Sequence, residues 1–459
     1  MSAVGIAQQS ANSIGAAHTQ RKSWVHWLAL ALVAVTVASS GIVFTEPAPV
    51  DALIIGLIVL LPTVGLVAFN PALLVYISLW ALAGASAILA ATLSLDMGAT
   101  LTHVGVTLYL YLASVVFAGF VAKSPESHTN LIFKAWTWAA VTAALAALVG
   151  YFGLLPGTHD LFTKFERASG TFKDPNVLGP FLIAPILYLL HVALQRRPLR
   201  MIVPLAVIGM LSLTVLLTFS RGAWLNLAVA FTVYGYLALL TSKRASTRLK
   251  LAALFAAGAL FVAGLIAVAL TSDTISDMFV QRASLAMSYD VGPEGRFGGQ
   301  EKAVGLIVEN PLGIGAQEFT TRHHPEEVHN VYLSVLLNAG WLGGGVYWIL
   351  VGLTLVLGFR RAMKATETRP LFLVAYAAFV GVALEGLIVD TDHWRHFYLL
   401  MAIIWGLMSA SAVSRPLPRV ASLVRRRPPR ASAVPAKAMR LATRRRPPGI
   451  VARLQPFSG

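Results

Sequence analysis

Twelve apolar stretches follow one another along this chain, near residues 24–44, 52–69, 71–93, 99–121, 131–153, 176–194, 201–219, 222–241, 250–271, 331–358, 370–389 and 397–413. Each is close to the roughly 20 residues a helix needs to cross the hydrocarbon of a bilayer. Because lipid offers no hydrogen bonds to exposed backbone, such stretches must satisfy their peptide groups internally, as helices. The expected fold is therefore an all-α polytopic membrane protein with about twelve transmembrane helices. A charged share of 12% and a mean hydropathy of +0.71 agree, since a soluble domain carries about 25% charge. Asn70-Pro71 alone divides the second and third stretches, which predicts a tight hairpin there. The first stretch lacks a small-residue cleavage site and reads as a retained helix. There is no cysteine, which excludes disulfides and thiol chemistry.

The net charge of +16 is distributed as a membrane protein distributes it. With the N-terminus in the cytoplasm, 27 of the 36 Lys and Arg fall on the inner side, against only Glu126 and Glu367 of the 20 acids. That asymmetry puts both termini inside and makes a nucleic-acid partner unnecessary. The chain divides into a cytoplasmic N-terminus over 1–23, a transmembrane domain over 24–413 and a basic tail over 414–459. The tail, with its Arg-Pro clusters at 425–430 and 444–448, cannot bury a core and suits attraction to anionic headgroups. Within the domain, 272–330 forms a large periplasmic loop between helices nine and ten. Nine acids, four Lys or Arg and three His are gathered in it.

Candidate site residues collect at the outer helix starts. Asp174 suits an N-cap with Pro175 at the first helical position, Ser220 precedes Arg221, and His329-Asn330 opens helix ten. Helix N-termini and cations together favour anions. Arg221, between two apolar stretches, is the sharpest of these residues, since an ionised side chain there normally faces an internal polar site. Arg296 is a weaker candidate, and Arg282, Arg322 and Lys173 are alternatives that could equally pair with nearby acids. His329 suits a general base with an unperturbed pKa near ~6.5. The run His323 to His329 fits no standard ligand spacing, so neither a metal nor a cofactor is expected. His393 and His396 flank a Trp that reads as an interfacial anchor. Ala303, Leu306 and Ile307 recur at helical spacing, as in a short helix lying on the membrane surface.

These residues carry a resemblance. Arg167-Ala168-Ser169-Gly170-Thr171-Phe172 leading into Lys173-Asp174-Pro175-Asn176, Phe219-Ser220-Arg221-Gly222-Ala223, and Gly295-Arg296 followed by Asn310-Pro311-Leu312-Gly313-Ile314-Gly315 come in this order. His329-Asn330, nine residues, then Gly340-Trp341-Leu342-Gly343 complete it. The chain resembles the O-antigen ligase and O-antigen polymerase superfamily of bacterial membrane glycosyltransferases, with a GT-C-like fold. The resemblance implies transfer of a glycan from an undecaprenyl-diphosphate carrier to lipid A-core at the periplasmic face, inverting and metal-independent. A polymerase of O-antigen or exopolysaccharide is the alternative within the superfamily. By residue match, Arg221 and Arg296 would hold the diphosphate and His329 would take the acceptor proton, with Lys173, Asn176, Asn330, Arg282 and Arg322 as further binding residues. Partners would be the lipid-linked donor, the lipid A-core or glycan acceptor, and membrane lipids. A flippase or transporter is the competing class, but it would place its ionisable groups near the midplane, where only Glu385 qualifies.

Overall fold

The computed structural model describes residues 24–269, 271 and 292–413. Every one of the twelve expected stretches is helical: α1 (Trp24–Ser39), α2 (Pro49–Thr63), α3 (Pro71–Ala91), α4 (Met97–Lys123), α5 (Pro125–Tyr151), then, after the one-turn α6 (Thr158–Phe162), α7 (Pro175–Leu194), α8 (Pro198–Leu217), α9 (Arg221–Thr241) and α10 (Ala245–Ala269). The surface helix α11 (Arg296–Glu309) precedes α12 (Val331–Ala362), α13 (Arg369–Glu385) and α14 (Arg395–Val413). Seven of these, α3, α4, α5, α7, α8, α9 and α12, are long and apolar enough to cross a membrane. A two-residue ladder, β1 (Thr163–Lys164) with β2 (Arg167–Ala168), is the sheet among the described residues.

Side-chain caps fix where the helices begin. Asn70 accepts from Ala72 N and Leu73 N, Asp96 from Ala99 N, Asp174 from Asn176 N and Ser220 from Ala223 N. Asn70-Pro71 opens α3 as expected, but α2 ends at Thr63, so the connection is the segment 64–70 rather than a tight hairpin.

Between helices in lipid, packing rather than water expulsion drives association, so small residues mark the contacts. A Cβ on Gly406 of α14 would stand 2.6 Å from the Ala118 carbonyl of α4. An aromatic column fills the rest of the junction, with Tyr76 stacked on Trp405 at 4.9 Å and Trp80 on Tyr111 at 4.1 Å. The connections fall into two alternating sets, and their links stay within one set. Val43 bridges Phe172, Ser94 meets Glu318, Arg167 meets Thr218, His329 meets Asp390 and Asp51 meets Arg395. One end of the bundle thus gathers every connection that carries a candidate residue.

The stretch 331–358 is not the single straight span the sequence suggests. Gly340 sits at φ 70° and ψ −179°, a conformation essentially reserved for glycine, and there α12 folds back. Trp348 Nε1 donates to the Tyr332 carbonyl at 3.0 Å, whereas a straight helix would separate residues so spaced by about 24 Å. The loop 310–315 inserts against the fold: Trp341 N donates to the Pro311 carbonyl and Ile314 N to the Leu337 carbonyl, each at 2.9 Å. The first limb therefore starts about 10 Å below the hairpin tip, level with the middle of the second limb.

Candidate active site

The site is assembled from six connections at that end. The segment before α7 runs alongside Val43, with Val43 N to the Thr171 carbonyl and Lys173 N to the Val43 carbonyl, both 2.8 Å. Arg167, only 7% exposed, donates from Nε to the Thr218 carbonyl at 2.6 Å and from Nη2 to Asn176 Oδ1 at 2.7 Å. One guanidinium thus ties the start of α7 to the turn that carries Arg221 three residues beyond Thr218.

The loop between α11 and α12 is anchored by Glu318, which is buried and accepts from Ser94 Oγ at 2.7 Å, Leu95 N at 2.6 Å and Asp96 N at 2.8 Å. Burial works to raise this carboxyl, but those hydrogen bonds and the Arg322 charge at 3.0 Å hold it below the usual carboxylate range. Beyond it the chain reaches His329, held in the left-handed region at φ 53°. Asp390 holds it there: its carboxylate accepts from His329 N at 2.8 Å, Asn330 N at 3.2 Å and Ser334 Oγ at 2.5 Å. Glu326 stands 3.7 Å from His329 Nε2.

The connection from α13 to α14 supplies the remaining wall. Arg395 makes a two-pronged pair with Asp51, Nε and Nη2 each at 2.6 Å, and Tyr109 also donates to Asp51. Burial and the neighbouring Asp392 charge push Asp390 above the carboxylate range, while the His103 hydrogen bond, against the effect of burial, holds Asp392 well below it. Burial drives His393 down to about 4, so it is neutral at physiological pH. Trp394 and His396 are buried against one another, 5.2 Å between rings, so this Trp is core rather than an interfacial anchor.

These connections enclose a cavity of about 430 Å³. Its polar part carries Lys173, Asn176, Arg296, His329, Asp390, Asp392 and Arg395; its apolar part runs between α1, α4, α5 and α7, lined by Val37, Phe117, Trp136 and Phe181. Of the expected site residues, Lys173, Asn176, Arg296 and His329 therefore meet at one space. The others are placed differently. Asn330 lends its side chain to the cap of α12, accepting from Tyr332 N at 3.1 Å. Arg322 is half-exposed on Glu318 and does not face the cavity. Arg221 is half-buried at the first position of α9, beside Gly222 that packs on Glu385, and is not part of the cavity wall. Arg282 lies outside the described residues. His324 bonds locally to the Glu326 backbone and stacks on Phe319, so the 323–329 histidines do not converge.

Residues 205–348 match the family model described as O-antigen ligase. Through this stretch the chain is similar to the O-antigen ligase family, which supports a place in the O-antigen ligase and polymerase superfamily. No curated protein matches the chain. The superfamily match runs from α8 to the folded α12 and so contains Arg221, Arg296 and His329. Lys173, Asn176, Arg395 and the His103, Asp392 and His393 group come from outside it. Arg395 and Asp392 stand out in the sequence only as possible supporting residues, and Arg167, Asp390 and His103 not as site residues at all, because each acts on a group far away in the chain. The signal for Asp390 was nevertheless present, as an acid in the last short link between apolar stretches.

Proposed function

We propose that the chain is a membrane glycosyltransferase of the O-antigen ligase type, moving a glycan from an undecaprenyl-diphosphate carrier to lipid A-core at the periplasmic face of the inner membrane. The observation that carries this reading is the convergence of Lys173, Arg296 and His329 on the polar part of one cavity that continues into an apolar part between α1, α4, α5 and α7. The apolar part suits a polyisoprenoid, and the cationic part suits its diphosphate.

In the step itself, the acceptor hydroxyl oxygen attacks the anomeric carbon while the bond from that carbon to the diphosphate oxygen breaks. The electron pair leaves with the diphosphate, and the hydroxyl proton goes to His329. Charge grows on the leaving group, so fixed cations beside it lower the barrier more in a water-poor cavity than in solvent. Arg296 and Lys173 supply that charge from the wall. Arg221, off the cavity wall at the α9 start, is linked to it only through the turn that Arg167 ties to Asn176. Glu326, close to His329, favours the imidazolium formed. No carboxylate nucleophile is needed for a single displacement with inversion.

The test supplies purified protein in lipid nanodiscs with an undecaprenyl-diphosphate glycan and, separately, lipid A-core or a second carrier-linked glycan. Consumption of lipid A-core is the expected result. Consumption of the carrier-linked glycan alone would make the chain a polymerase, and consumption of neither would end the reading.

A further inference from the structure

On the cavity wall, apart from His329, two imidazoles and a carboxylate face one another. One donor atom from each of His103, Asp392 and His393 lies within 4.8 Å of the others. His103 Nε2 stands 3.5 Å from Asp392 Oδ2, and the two rings are 4.1 Å apart. All three residues line the cavity.

Proton bookkeeping fixes which nitrogen of His393 is available. The Thr107 hydroxyl has one proton and gives it to the His103 carbonyl at 3.0 Å. With that proton on the carbonyl, its 3.0 Å contact with His393 Nε2 is an acceptance, an assignment that puts the ring proton on Nε2 and leaves Nδ1 to a ligand. Orientation of one ring nitrogen by a hydrogen bond on the other is how metal-binding histidines are held. His103 is held differently: Gln317 Nε2 donates to its Nδ1 at 3.2 Å, which puts the ring proton on Nε2, turned to Asp392, so a metal there needs the proton moved to Nδ1 and the Gln317 amide turned to accept it. The nearest cationic neighbour on the loop, Arg395, is already matched by Asp51. The second cluster in the cavity, Glu327 with His329 and Asp390, is less suited, because the Asp390 oxygens already accept three hydrogen bonds.

We propose that His103, Asp392 and His393 form a binding site for a first-row divalent transition metal, with zinc as the test ion. Two nitrogens and one carboxylate oxygen select such ions over magnesium and calcium, which prefer oxygen alone. The ion would pin α4 to the 390–394 connection, and so steady Asp390 and the His329 backbone that it holds. It touches neither leaving group nor acceptor in the transfer proposed above, and the site stands or falls independently of that reading.

The experiment uses the full chain without an affinity tag, purified in detergent, stripped with EDTA and titrated with Zn²⁺ by calorimetry, with bound metal measured after gel filtration. The expected result is one zinc ion per chain, undisplaced by excess Mg²⁺ or Ca²⁺. His393→Ala should lose it. Thr107→Val keeps all three ligands but removes the hydroxyl that orients His393, and should weaken binding by about 10–100-fold. Since Thr107→Val alters no ligand, it remains informative should His393→Ala fail to fold. The proposal is overturned if the stripped protein takes up less than stoichiometric zinc, or if either variant binds zinc as the wild type does.

Discussion

Asp390 should matter to transfer as much as the residues that touch substrate. Its carboxylate holds three donors, two of them the backbone N–H groups of His329 and Asn330. A hydrogen bond contributes about 0.5–1.5 kcal/mol, and about 1.5–3 kcal/mol while the acceptor is ionised, and a residue other than glycine held at positive φ costs about 1–3 kcal/mol. Asp390→Ala removes the first while leaving the second, so His329 should relax out of its left-handed conformation at φ 53°. The imidazole is carried with it, and a displacement of about 1 Å in a reacting group costs on the order of 100-fold in rate. Asp390→Asn keeps one carbonyl oxygen as an acceptor and should lose roughly tenfold, or ~1.4 kcal/mol of barrier. The assay is single-turnover release of undecaprenyl diphosphate from a saturating lipid-linked donor, with thermal melting in the same detergent as the control on folding. Turnover by Asp390→Ala within about threefold of wild type, equivalent to under ~1 kcal/mol, would refute the argument that this carboxylate sets the base.

Three further perturbations follow from local geometry. Arg167→Ala removes both bonds between Asn176 and the α8–α9 turn, and should cost about 3 kcal/mol of stability by denaturant titration; Arg167→Lys should not restore it, since an ammonium lacks the planar fork. Gly340→Ala places a Cβ 2.5 Å from the Leu312 carbonyl carbon and forces alanine into a glycine conformation, so it should destabilise the α12 fold-back by about 1–3 kcal/mol or more, read as faster hydrogen exchange over 310–341. Glu318, whose carboxyl is lowered in the folded protein, contributes stability that is present above the ordinary carboxylate pKa and lost as pH falls through its lowered value. Exchange in 316–324 should therefore rise on acidification in the wild type and be raised already at neutral pH in Glu318→Gln.

The sequence is most legible where a residue acts on its own neighbours. Asp174 and Ser220 are recognisable as caps because their side chains reach backbone groups two or three positions on. The helical stretches are equally plain, since apolarity over 20 residues has few other meanings. Direction is another matter. Hydropathy registers how greasy 331–358 is and says nothing of a reversal at Gly340, which depends on the 310–315 loop finding the gap. Partners across the chain are invisible for the same reason: Arg395 meets Asp51 only because α2 and α14 begin side by side. Asn330 was judged by its place beside His329, and the cap it makes is a use that any Asn at a helix start serves. Arg221 stands out in the sequence for its place between two apolar stretches, where a charge normally faces an internal polar site; half-burial at the head of α9 meets that cost without bringing it to the cavity wall.

The central claim is that Arg296 and His329 act from the same cavity on one bond, the first on the departing diphosphate and the second on the incoming hydroxyl. Rapid-quench measurement of undecaprenyl diphosphate released per glycan transferred, in wild type, Arg296→Ala and His329→Ala, tests it most directly. The account predicts one carrier released for each glycan moved in the wild type and a loss of about 100-fold or more in each variant, in the range found when a transition-state donor or base is removed. Equal rates in wild type and either variant, with both folded, would contradict it.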